Sequence, residues 1–138
     1  MLDACHPYNE EIIELLKFAH AERFDKVLIT HANWTVIRDT SAQSLREMAD
    51  LGAWIEFCAT AMLPPYSCLT LDQEVQWLNH IGTSRCVLAS DAGAQTAGTP
   101  ASVLRAYLQL LNNAGVPLKD ITAMACEQPA RLLGLSDD

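Results

Sequence analysis

Apolar positions along this chain follow two alternating rhythms. Short, nearly all-apolar runs fall at 26–30, 53–57 and 86–89, and a less apolar one ends at His6. Runs of that kind predict parallel strands buried on both faces. Between them, apolar residues recur at helical spacing, as in Ile12, Leu15, Leu16 and Ala19 after Asn9, Glu10 and Glu11. Asn9 reads as the N-cap of that helix, with the two acids in its first turn. Leu45, Met48 and Ala49 form a second apolar stripe, opened by Ser41 and stopped at Gly52. Thr70 with Gln73 makes a capping box for a third helix, through Leu71, Val75 and Leu78 to Gly82. Thr99 and Pro100 start a fourth, whose buried face is Val103, Leu104, Tyr107, Leu108 and Leu111, ended by Gly115. Two short helices, at about 118–125 and 129–133, complete the pattern.

Each predicted strand hands over to a polar residue: His6, His31, Glu56 and Asp91. The intervals between them are 25, 25 and 35 residues, each room for one helix and two loops. A βα repeat of that period reads as part of a (β/α)8 TIM barrel, whose chemistry lies at the C-terminal strand ends. The expectation is therefore an α/β fold, a partial barrel of about four parallel βα units plus C-terminal helices, as one domain over 1–138. A plain small α/β domain with a four-stranded parallel sheet is the alternative; the recurring polar strand ends favour the barrel. No glycine-rich phosphate loop follows any strand.

Composition narrows the function classes. Half the residues are apolar and 19% are charged, which places the chain among globular proteins. A formal net charge of −8 argues against nucleic-acid binding, which draws on clustered Lys and Arg. No apolar run reaches membrane-spanning length, and the first residues do not read as a signal peptide. Five scattered cysteines without a Cys-x-x-Cys pair fit reduced thiols, and so a cytoplasmic location, better than a disulfide framework.

Among single residues, His31 is the strongest candidate, because an imidazole ending an apolar strand can ligate a divalent metal. Its bland alternative is a histidine capping the next turn. Asp91, in Ser-Asp-Ala-Gly, can bind metal and take a proton from bound water, or can simply close a turn. His6 gains weight only as the member one βα unit before His31. Glu56 is a site acid or the partner of a base such as Arg38 or Arg85, and Trp34 is a candidate pocket wall. A thiol nucleophile at Cys5 with His31 as base lacks the exposed turn such chemistry uses.

Three stretches carry a family resemblance: Val-Leu-Ile-Thr-His-Ala at 27–32, Val-Leu-Ala-Ser-Asp-Ala-Gly at 87–93, and Gln-Pro-Ala-Arg-Leu-Leu-Gly-Leu at 128–135. In order and spacing they resemble the C-terminal half of a metal-dependent hydrolase of the amidohydrolase superfamily. With Gly-Ala-Trp-Ile-Glu at 52–56, the likeness is strongest to a poorly characterised branch of unknown substrate. The resemblance implies strands five to eight of a barrel. It implies His6, His31 and Asp91 as metal ligands, and Asp91 as the catalytic proton acceptor. A divalent metal, zinc or else manganese or iron, would activate water against an amide, ester or phosphoester of a small molecule. The family's His-x-His strand has no counterpart here, so either an N-terminal half is missing or copies associate as a homo-oligomer. Two other readings compete: a degenerate half-barrel serving ligand binding or assembly, and a metal-free lyase or isomerase with Asp91 as base.

Overall fold

The structure, a computed structural model, describes residues 1–4, 8–35, 39–64, 66–93 and 98–135. Its centre is a parallel sheet in the order β1 (Leu2–Asp3), β2 (Val27–Ile29), β3 (Trp54–Cys58) and β4 (Cys86–Ala89). Three strands of three to five residues carry this sheet, and β1 adds an edge of only two residues. Leu28 pairs with Trp54 and Ile55 with Cys86, so the strand ends are staggered.

The helices are α1 (Asn9–Ala21), α2 (Ala42–Asp50), α3 (Leu71–Ile81), α4 (Pro100–Asn113), α5 (Leu118–Thr122) and α6 (Gln128–Leu133). A π-helical turn at Ala123–Glu127 joins the last two, and 3-10 turns lie at Ala59–Met62 and Thr83–Arg85. Several helix starts follow directly from side-chain chemistry. Ser41 and Ser44 bond reciprocally at the start of α2, as Thr70 and Gln73 do for α3, and the Thr99 hydroxyl accepts from the Ser102 N–H at α4. At α1 the cap is Tyr8 rather than Asn9, whose amide instead donates to the Asp39 carbonyl.

Alternation along the strands sends side chains to two faces. Val27, Ile29, Ile55, Phe57, Cys86 and Leu88 pack in one cluster with Leu16 of α1, Leu45 and Met48 of α2, Leu78 of α3 and Leu111 of α4. Leu28, Trp54 and Val87 form a separate cluster on the other face, together with Leu132 of α6.

That second face corrects the expected fold. The structure is a mixed α/β unit with a small open parallel sheet, and the partial (β/α)8 barrel of four βα units is not found. A barrel interior is filled by side-chain layers from a closed ring of strands. Here the face that would look inward is instead capped by a helix from the same chain. The first strand is also short, since β1 spans only Leu2–Asp3, while the expected strand end at His6 lies outside the described residues. Among the described residues, no helix is long and apolar enough to cross a membrane.

Candidate functional site

The C-terminal ends of β2, β3 and β4 converge on one spot. His31 lies two residues beyond β2 and Asp91 two beyond β4. Both adopt left-handed backbone, with φ of 54° and 50°. His and Asp tolerate that region better than most side chains, yet it still costs on the order of 1 kcal/mol. The turn brings the imidazole Nε2 to 3.5 Å from Asp91 Oδ2, with the two side chains 30% and 34% exposed. Thr60, in the 3-10 turn after β3, donates its hydroxyl to the same Asp91 oxygen at 2.9 Å. That bond orients the carboxylate.

Cys58, the last residue of β3, completes the group. Its sulfur, the His31 ring nitrogen and the Asp91 carboxylate oxygen all lie within 4.8 Å of one another. Cys58 is fully buried and forms the floor beneath the two partly exposed side chains. The Cys58 thiol donates to Glu56 Oε1 at 3.1 Å. Burial above all, then the neighbouring Glu56 and Asp91 charges, pushes this thiol far above the usual range, so it stays protonated.

A buried polar cradle holds that floor. The Asn33 side chain accepts from the Cys58 N–H at 3.0 Å and donates to the Cys58 carbonyl at 3.0 Å. It thereby extends the pairing with β3 beyond the backbone bond from the Ala32 N–H to the Glu56 carbonyl. The Asn33 amide also donates to Glu74 Oε2 at 2.9 Å, and the Tyr107 hydroxyl donates to Glu74 Oε1. Asn33 and Glu74 are fully buried. Burial raises the Glu74 carboxyl above its ordinary value, against the lowering effect of its two donors. Burial likewise raises Tyr107, with the Glu74 charge adding to it.

An aromatic wall flanks the opening. Trp34 meets His31 edge-on at 5.8 Å between ring centroids and packs on Tyr66 at 4.4 Å. The Trp34 indole N–H is buried and has no hydrogen-bond partner among the described residues. A cleft of about 900 Å³ lies elsewhere, at the opposite strand ends between Arg23, Asp50, Gly52 and Arg85. Among the described residues, the cluster of possible metal donors is at His31, Cys58 and Asp91 and not in this cleft.

The sequence-based candidates distribute unevenly over this geometry. His31 and Asp91 come together, and Trp34 stands beside them. Glu56 sits mid-strand rather than at a strand end, where it accepts the Cys58 thiol. Arg85 donates to the Gly52 carbonyl and stacks on Trp54. His6, Cys5 and Arg38 lie outside the described residues. Sequence reasoning missed Cys58, Thr60 and Asn33. Only Cys58 left a signal, since the period of two places it on the same strand face as Glu56.

The donor set fits a divalent cation. Two N or O ligands at about 2.1 Å in tetrahedral geometry stand about 3.4 Å apart, close to the 3.5 Å between His31 and Asp91.

Residues 1–56 match a family of unknown function, DUF6282. That stretch includes β1, β2 and His31 but neither Cys58 nor Asp91. No curated protein and no solved structure matches the chain significantly.

Proposed function

We propose that this chain carries a metal-dependent hydrolytic site, with His31 and Asp91 as ligands of one divalent cation. The amidohydrolase-like sequence around both residues suggests the same chemistry. The observation that supports it most is the 3.5 Å approach of His31 Nε2 to Asp91 Oδ2, from strands that are not neighbours. Both residues hold an uncommon backbone conformation to make that approach.

A divalent cation held by His31 and Asp91 would supply Lewis-acid polarisation of a carbonyl or phosphoryl oxygen and would lower the pKa of bound water toward neutrality. The chain's own residues do the rest. His31 binds through Nε2. Asp91 is oriented by Thr60, and its carboxylate takes the proton of the attacking water and returns it to the leaving group. Trp34 and Tyr66 line one side and pack the apolar part of a small amide, ester or phosphoester. A thiol nucleophile at Cys58 is the weaker reading, because without a metal the buried thiol stays protonated and its sulfur is out of reach of a substrate.

The test is turnover of aryl esters, aryl phosphates and anilides by protein loaded with zinc, manganese or iron(II). Metal-stimulated hydrolysis is expected, and Asp91→Asn should lower it on the order of a hundredfold or more. His31→Ala should abolish the stimulation by metal. Turnover unchanged in both variants would overturn the proposal. Tight metal binding without turnover of any substrate class would favour a ligand-binding or assembly role.

A further inference from the structure

We infer that Cys58 is a third metal ligand, and that it makes the site selective for a thiophilic divalent ion, zinc or cobalt(II), over magnesium and calcium. This rests on the reading that His31 and Asp91 hold a cation, and it adds a ligand and a metal class to it.

Position is the first argument. Cys58 ends the strand that lies between β2 and β4, so its side chain emerges between His31 and Asp91. The three donor atoms are mutually within 4.8 Å. A sulfur at about 2.3 Å and a nitrogen at about 2.1 Å from one tetrahedral ion stand about 3.6 Å apart. His31 and Asp91 are the partly exposed members of the group, so adjustment to that spacing falls on them and not on the buried sulfur.

Rigidity is the second. Asn33 bonds both the N–H and the carbonyl of Cys58, so the origin of the thiol is fixed from both sides. Asn33 is itself held by Glu74, and Glu74 by Tyr107. Supporting hydrogen bonds of this kind orient ligands in built metal sites.

Environment is the third. A cysteine buried only for packing would face apolar neighbours, as a small hydrophobe does. The Cys58 sulfur instead faces an imidazole and two carboxylates, those of Asp91 and Glu56. Binding exchanges the S–H bond for a sulfur–metal bond and releases one proton to solvent. Thiolate, imidazole and carboxylate together form a mixed set that suits zinc, whereas magnesium and calcium take oxygen ligands.

The experiment is a cobalt(II) titration of the whole chain after chelator dialysis, followed by absorption. One ion per chain should bind with a sulfur-to-cobalt charge-transfer band in the near ultraviolet. Zinc should displace it, and a large excess of magnesium or calcium should not. Cys58→Ser should lose the band and bind cobalt on the order of a hundredfold more weakly; a lost supporting contact can cost as much, so the band and not the affinity assigns the sulfur. X-ray absorption of the zinc-loaded wild type needs no variant, and should show one sulfur at about 2.3 Å. Cobalt binding that requires His31 and Asp91 but shows no sulfur ligand would overturn this inference and leave the proposed cation site standing. A charge-transfer band that persists in Cys58→Ser would assign the sulfur to another cysteine and overturn it as well. Absence of any cobalt or zinc binding would overturn both.

Discussion

At the residue scale, legibility depended on contrast with the neighbours. His31 and Asp91 were visible because each places an ionisable group just past the end of an apolar run. Cys58 was not, because a cysteine extends the apolar run Trp-Ile-Glu-Phe-Cys without contrast. Glu74 was hidden for the opposite reason. It sits in the first turn of α3, where acids are favoured by the helix dipole and usually solvated, yet the fold buries it completely. Its carboxyl titrates above the ordinary glutamate value of about 4.3. The native state therefore retains a proton that the unfolded chain has lost. Glu74 contributes its full stability below about pH 4.3, and loses it as pH rises through the higher folded value. Glu74→Gln keeps a partner for both Asn33 and Tyr107, since the tyrosine oxygen can accept from the new amide. Urea unfolding of this variant between about pH 5 and pH 8 should show a flatter stability profile than wild type. The difference in slope should be at most about 1.4 kcal/mol per pH unit. Parallel profiles would mean that Glu74 is ionised throughout.

At the element scale, helix boundaries were well specified because their chemistry is local. The Ser41 and Thr70 caps and the Thr99–Pro100 start all stand where the sequence put them. Helix ends follow the same logic. After α2 and α4 the chain turns through Gly52 and Gly115, at φ of 96° and 94°, and the next N–H reaches back to Met48 and Leu111 respectively. The end of α1 makes the same pair of bonds, from Arg23 to His20 and from Phe24 to Ala19. There, however, the left-handed position is occupied by Arg23, at φ 56°. Arg23→Gly removes roughly 1–2 kcal/mol of backbone strain and adds back about 0.5–1 kcal/mol of unfolded-state entropy. A net gain of about 0.5–1 kcal/mol should appear as a higher urea midpoint at unchanged slope. A lower midpoint would show that the arginine side chain stabilises the turn by more than its strain costs.

At the scale of the whole molecule, the deciding feature is what covers the second face of the sheet. The strand order, the parallel sense and the helices packed on one face all followed from the βα rhythm. Closure did not. Leu28, Trp54 and Val87 are buried because Leu132 lies over them, and Leu132 is only 4% exposed. Leu132→Ala should cost about 2–4 kcal/mol in urea unfolding, the range for a buried leucine that leaves a cavity. It should also increase binding of a hydrophobic dye, since three apolar strand residues lose their cover. A cost below about 0.5 kcal/mol would mean that the face is covered by something other than α6.

By itself, the sequence determined most of the elements and their order, because spacing, caps and turn residues act over a few positions; the two-residue β1 and the π-helical turn at Ala123–Glu127 are the exceptions. It also marked His31 and Asp91, since a polar group at the end of an apolar strand is a local signal. The tertiary structure alone decided that the sheet stays open, and which side chains share a site. The Thr60–Asp91 bond spans 31 residues, the Asn33–Cys58 bonds 25 and the Asn33–Glu74 bond 41. Whether such groups meet depends on strand register and on which helix covers which face, and both are fixed by packing between distant segments. A single pattern of alternating strands and helices is compatible with a closed barrel or an open sheet. The physical difference lies in the C-terminal helical segment, from which Leu132 packs with Leu28, Trp54 and Val87 on the face a barrel would have turned inward.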